Sequence, residues 1–311
     1  MSEISDVMRE IKGTSVAVAA ANLAELSGLD TEGVREFRLG WPAVSEERRR
    51  EVVSRLAELA EENVEIDYTA VFVAGLEDED SVVRARSARA LWECDDRSVI
   101  RALVALLETD PSNNVKAAVA TSLGRIVSDS QGHKIVAADA ARVRSAILVA
   151  AADVQQDIEV RRRAIEAVAA FDDEESRDVI GRAYAAGDTR LKISSIYAMG
   201  RSADVLWLPV LVKERNDESP AVRFEVAGAL GLLGEDDTIV HLLPMLDDDD
   251  PEVQAAAAQA LGRIGGAQAK QVLEEATDSG DDPLAEAARE ALEEIGFDED
   301  PLAFRYSQEG G

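Results

Sequence analysis

The sequence predicts an all-α solenoid, a superhelix of about eight stacked helical hairpins. Three observations predict it. A short pattern recurs seven times at a period near 31 residues, which is the mark of a stacked repeat array. Apolar residues make up 46% of the 311-residue chain while aromatics make up only 4%, a balance that favours helix over strand. Aspartate and glycine recur at the positions where helices start and stop.

The pattern is clearest in "DESPAVRFEVAGALGLLGEDD", Asp217 to Asp237, and in the near-copy "DDDPEVQAAAAQALGRIGGAQ" that begins at Asp248. Aligned on Val222-Arg223, the same slot holds Val83-Arg84, Val115-Lys116, Val160-Arg161, Leu191-Lys192, Val253-Gln254 and Ala285-Glu286. The second residues of these pairs are 32, 45, 31, 31, 31 and 32 apart. An acidic turn opens each copy, at Asp80, Asp110, Asp157, Asp188, Asp217, Asp250 and Asp282. Aspartate accepts a bond from an orphan N–H at a helix start, so these residues are expected as N-caps. Pro251, Pro283 and Pro220 follow at the first helical position, where a missing N–H costs nothing.

A helix of about three turns comes next, with Val222, Val226, Ala227 and Leu230 on one stripe. Gly124, Gly200, Gly231 and Gly262 share a slot near its end and are expected to let a neighbouring helix approach closely. Gly234 and Gly265 read as stop signals. A linking amphipathic helix, as in "TIVHLLPMLDDDD", leads to the next turn. Neither helix buries its stripe alone; stacked neighbours complete the core.

The period places an N-terminal helical cap over 1–44, the array over 45–296 and a tail over 297–311, either extended and packed in part through Phe304 and Tyr306 or disordered. Ser45–Leu76 supplies one degenerate hairpin. The long spacing between Lys116 and Arg161 places an insertion near 128–143, and solenoid insertions map to loops on one face.

The turn-Asp, Val-Arg, Ala, Ala-Leu-Gly pattern resembles the short HEAT-like repeats of the phycobilisome-lyase type, over roughly Glu77 to Gly296. The last two copies depart from it, with Gln254 and Glu286 in the Arg slot. The resemblance implies a superhelix whose Val-Arg helices line the concave face. It also implies two alternatives to a simple scaffold: a bilin lyase or chaperone-type subunit acting with a partner, and a nucleic-acid-binding solenoid.

Charge and composition narrow the classes. The net charge is −29, from 62 acidic and 33 basic residues, which disfavours nucleic acid as main partner. The acidity suits solubility or a saline habitat. Cys94 is the sole cysteine, so neither an internal disulfide nor a cysteine metal cage is expected. No long uninterrupted apolar stretch marks a membrane span, and the acidic N-terminus does not read as a signal peptide, so a cytoplasmic location is expected.

No catalytic constellation emerges, and no metal or cofactor is expected. The two histidines, His133 and His241, are far apart and in no ligand spacing. Some enzymes with HEAT-like repeats are di-iron hydroxylases that bind iron through His-Glu dipeptides, and this sequence has none. "DDDD" at Asp247–Asp250 lacks EF-hand spacing and reads as a solvated, helix-capping turn. "LGRIGGAQAK", Leu261–Lys270, has the wrong spacing for a phosphate loop. Cys94 and His241 read as structural.

The expected function is therefore a non-catalytic protein–protein scaffold. Four Val-Arg helices in the first part of the array are net basic although the chain is acidic. Arg84, Lys116, Arg161, Lys192 and Arg223 fall at the stripe's edge and are expected to form a ladder to turn aspartates. Arg86, Arg89, Arg125, Arg162, Arg163, Arg190, Tyr197 and Arg201 remain as candidates to bind another protein or an acidic or mixed peptide, since Arg and Tyr are favoured in interface hot spots.

Overall fold

The computed structural model describes residues 3–13, 20–129, 135–234, 236–278 and 282–299. Among them every regular element is helical. The chain divides into two units, residues 1–170 and 171–311.

In the first unit α1 (Glu3–Ile11), α2 (Ala20–Ala24) and α3 (Thr31–Gly40) lead through the short turn Trp41–Ala43 into α4 (Glu46–Glu62). Then come α5 (Thr69–Gly75), α6 (Ser81–Ala90), α7 (Arg97–Thr109), α8 (Asn113–Asp129), α9 (Ala137–Ala152) and α10 (Ile158–Val168). Helices α4, α6, α8 and α10 stack in that order, with α5, α7 and α9 packed against α6, α8 and α10. The second unit holds α11 (Glu174–Tyr184), α12 (Thr189–Arg201), α13 (Leu208–Glu214), α14 (Pro220–Leu233), α15 (Ile239–Leu242), α16 (Pro251–Ile264), α17 (Gly266–Thr277) and α18 (Asp282–Glu299). There α12, α14, α16 and α18 stack in order, and α11, α13, α15 and α17 each pack on the stacked helix that follows. The fold is an all-α, HEAT-like solenoid, built by the expected hairpin. Val83, Val115, Val160, Val222 and Val253, the apolar half of the repeated pair, are all fully buried.

The turns differ in one respect from the expected pattern. Asp80, Asp157, Asp188 and Asp250 are N-caps, each accepting from a backbone N–H two residues on. Asp110 and Asp217 are not. They sit two residues before the capping position, occupied by Ser112 and Ser219, and accept those residues' N–H groups at 2.8 Å. Asp78 and Asp248 do the same for Asp80 and Asp250. Each of these turns thus carries two positions, an Asp or Ser that caps and, two residues earlier, an Asp that receives a cation from the preceding repeat.

That cation comes from the ladder slot. Arg84 donates to Asp110 at 2.8 and 3.0 Å and clamps the Asp78 and Glu79 carbonyls of its own turn. Arg223 repeats both bonds, to Asp248 at 2.7 Å and to the Asp217 carbonyl at 2.8 Å. Lys192 reaches Asp217 at 2.5 Å. Lys116 and Arg161 make no such bond among the described residues, and Arg161 Nε is buried without a partner. The register explains both gaps: the receiving positions one repeat on are Gln155 and Ala186, which are not carboxylates.

Gly234 ends α14 in the left-handed region at φ 67°, as its stop position demands. His133 and the centre of the insertion, 130–134, lie outside the described residues, while the flanking α8 and α9 are 17 and 16 residues long. Helix α18 continues through Glu299; Phe304 and Tyr306 lie outside the described residues.

Candidate functional site

Three of the expected binding residues meet in the first unit. Arg86 and Arg89 on α6 and Arg125 on α8 line one groove of about 760 Å³. Its floor includes Tyr68 and Phe72 at the start of α5, with Ala57 and Ala60 of α4, Ala90 and Trp92. The volume suits a docked side-chain cluster or a ligand of modest size. Helix α4 brings Glu58 and Glu61 to one side of α6, and α8 brings Arg125 to the other.

The groove traces to one slot of the repeat. Eight residues after the ladder residue, four copies place glycine: Gly124, Gly200, Gly231 and Gly262. At Gly200 a Cβ would stand 2.5 Å from Ala229 Cα, and at Gly231 it would stand 2.7 Å from Ala260 Cβ. There is no room for a methyl group, so these helices touch backbone to backbone. In the first copy the same slot is Trp92. An indole does not fit where a methyl is excluded. Helix α6 instead stops at Ala90, before the slot, whereas α8, α12, α14 and α16 run through it. Trp92, half-buried, becomes a wall of the groove.

Two of the arginines are held in place without a carboxylate. Arg125 stacks on Trp92, its Cζ 3.4 Å from the ring centroid. Stacking uses the face of the guanidinium and leaves its in-plane N–H groups open. Arg86 donates from Nη1 to the Arg50 carbonyl at 2.7 Å. Arg89 is exposed. None of the three has an ion-pair partner among the described residues. Glu58 is taken by Arg55 at 2.8 Å. Cys94 also lines the groove, half-buried; burial chiefly, with Asp96 and Asp95 nearby, pushes its thiol pKa up and keeps it protonated. A protonated thiol is a poor nucleophile. Tyr68 is buried and its hydroxyl has no partner among the described residues; burial raises its pKa too.

The other expected residues are placed elsewhere. Arg162 and Arg163 are neutralised on their own helix by Glu159, at 2.8 and 2.9 Å, and Arg163 also by Glu166 at 2.9 Å. Arg190, in the second unit, pairs with Asp188, the cap of its own helix, at 3.1 Å. Tyr197 and Arg201 are exposed on α12.

A further cluster in the second unit was not legible from the repeat. Buried Glu214 accepts from Lys192, from the Tyr184 hydroxyl at 2.5 Å, and pairs with Lys213 at 3.1 Å. Burial alone would raise its pKa, but these three partners outweigh it and lower the carboxyl to about 2. A group held ionised that far below neutrality is a poor general acid or base near pH 7. Its chemistry here is structural: it anchors Lys192 of the ladder. The signal available in sequence was only that Glu214 lies three residues before the receiving Asp217.

The family model for HEAT repeats matches residues 69–152 and 208–293, more than half the chain. The chain belongs to the HEAT-repeat family. Among solved structures, this HEAT-repeat chain is similar to yeast importin-beta (Kap95p), with a TM-score of 0.59 and 13% identity over 94% of this chain and 46% of that one. It is also similar to the CpcE–CpcF complex of phycocyanin lyase from Nostoc sp. PCC7120, with a TM-score of 0.53 and 15% identity over 91% and 100% of the two chains. A structure of the Kap95:Nup1 complex gives 0.54 at 15% identity, over 94% and 46%. At these identities the likeness is one of fold. Among proteins of curated function the sequence finds no match. No helix of the described residues is long and apolar enough to cross a membrane.

Proposed function

We propose that this HEAT-repeat chain is a non-catalytic scaffold that holds a segment of another protein in the α4–α8 groove of its first unit. The observation that carries the reading is the convergence of Arg86, Arg89 and Arg125 with Trp92 around an apolar floor. Arginine and tryptophan dominate interface hot spots because each offers a large, semi-rigid contact with polar edges. The similar importin-beta and CpcE–CpcF folds are recorded in complexes with, or as, partner proteins, which fits the same use of the fold. A phosphate track is a weaker reading, because a chain with 62 acidic and 33 basic residues repels a long polyanion, while three arginines beside an apolar floor suit one short segment. A bilin lyase or chaperone-type role rests on resemblance alone.

The test is affinity capture from the native lysate. Wild type is compared with a variant carrying Arg86→Glu, Arg89→Glu and Arg125→Glu, after both are matched for helicity and melting. The reading predicts a protein retained by wild type and lost by the variant. Equal capture by both contradicts it. A second variant, Arg162→Glu with Arg163→Glu, is expected to retain the partner, because those residues are already balanced by their own helix.

A further inference from the structure

We infer that the groove selects an acidic segment, with carboxylates on Arg86, Arg89 and Arg125 and one large apolar side chain against Trp92 and the floor. The inference rests on the scaffold reading of the same groove and adds the chemistry of what it holds.

The first support is a local imbalance. Most arginines of the described residues find a carboxylate; Arg161, Arg201, Arg215, Arg263 and Arg289 do not, but they are scattered along the chain, whereas Arg86, Arg89 and Arg125 line one groove. Arg55, Arg163 and Arg190 each find one on their own helix or its cap. The three groove arginines find none among the described residues, although acidic residues line the same groove. Their charge is therefore available to an incoming anion.

The second support is preorganisation. Arg125 is fixed by its stack on Trp92, and Arg86 by one bond to the Arg50 carbonyl. Both contacts leave a planar fork of N–H donors open, and that fork matches a carboxylate in two-point fashion. Arginines already held in place lose less side-chain entropy on binding.

The third support is the floor. Ala57, Ala60 and Ala90 line the groove with Trp92 over the buried rings of Tyr68 and Phe72, and charge alone does not use this apolar surface. At about 25 cal/mol per Å² of apolar area removed from water, one large side chain seated there supplies the attraction that surface ion pairs lack.

The experiment uses the full chain and its one native thiol. Cys94 lies in the groove, so an occupant shields it from alkylation. Random short peptides are displayed and selected on wild type. Selected peptides are synthesised, then scored by direct binding and by slowing of Cys94 alkylation, against the rate measured on the free protein under the same conditions. The inference predicts protecting peptides that are net negative with one large apolar residue. It predicts binding about tenfold weaker or more to Arg86→Gln, Arg89→Gln, Arg125→Gln, and no protection by the same peptides with Lys in place of the acids. Protecting peptides that are neutral or basic, acidic ones that bind the glutamine variant equally, or protection by an oligonucleotide, would overturn it. In the first of these outcomes the scaffold reading still stands, since a protein segment occupies the groove. If no peptide of any charge shields Cys94, both fall together.

Discussion

Gly231 and Trp92 occupy the same slot of the repeat and do opposite things. At Gly231 the next helix comes so close that a Cβ would stand 2.7 Å from Ala260 Cβ. At Trp92 the helix has already ended and the side chain walls a groove of about 760 Å³. In a solenoid each repeat contacts only its neighbours, so regular copies serve the stack. A copy that breaks the rule weakens one interface and gains a surface. Here the departure brings an indole, three unpaired arginines and an apolar floor together.

The sharpest contrast is between substitutions in that one slot. Gly231→Leu forces a side chain into a backbone contact and is expected to cost about 3 kcal/mol or more, read as a lower denaturant midpoint at unchanged slope. Trp92→Gly removes a half-buried wall and one cation–π contact, and is expected to cost only about 1 kcal/mol while abolishing partner capture. A larger loss of stability at Trp92 than at Gly231 would break the comparison.

The ladder gives the next contrast. Arg223→Ala strips Asp248 of its partner and frees the Asp217 carbonyl, so a cost of about 2 kcal/mol is expected. Arg89→Ala, with no carboxylate to abandon, is expected to stay within about 0.5 kcal/mol of wild type in thermal melts. Glu214 sharpens the same point through pH. Its pKa is depressed when folded, so its contribution is fully present above the ordinary carboxyl range, near 4.5, and is lost as pH falls through about 2. Glu214→Gln is expected to lower stability by about 2 kcal/mol at pH 7 and to flatten the acid limb between those values. Equal acid limbs in the two proteins would contradict this.

Arg125→Ala is expected to have a small effect as well. Its contact with Trp92 is exposed and is worth about 0.5–1 kcal/mol. Its readout is therefore a shift in tryptophan emission, with a melting temperature close to wild type.

Much of the array was legible because repetition reports contacts directly. The Val-Arg pair marked the buried valine and the ladder cation, and the glycine slot marked the close approach. The double aspartate was harder. Asp110 and Asp217 look like caps by composition, and only the register against Ser112 and Ser219 shows that they receive cations instead. Arg162, Arg163 and Arg190 were counted as free charge because a helical projection gives direction but not pairing. Glu159, Glu166 and Asp188 were each within reach along the helix. Trp92 carried the strongest signal of the groove, as the large residue in a glycine slot. That signal becomes readable once the slot is known to exclude a methyl group.

The most direct measurement places a photo-crosslinking residue at Thr121 in the groove and, separately, at Gly228, the equivalent position on α14, where a side chain meets open space. Both variants are irradiated in the native cell. The account predicts a partner-protein adduct from position 121, absent from position 228 and lost when Arg86, Arg89 and Arg125 are all changed to Glu. Adducts of equal yield from both positions, or from 228 alone, would contradict it.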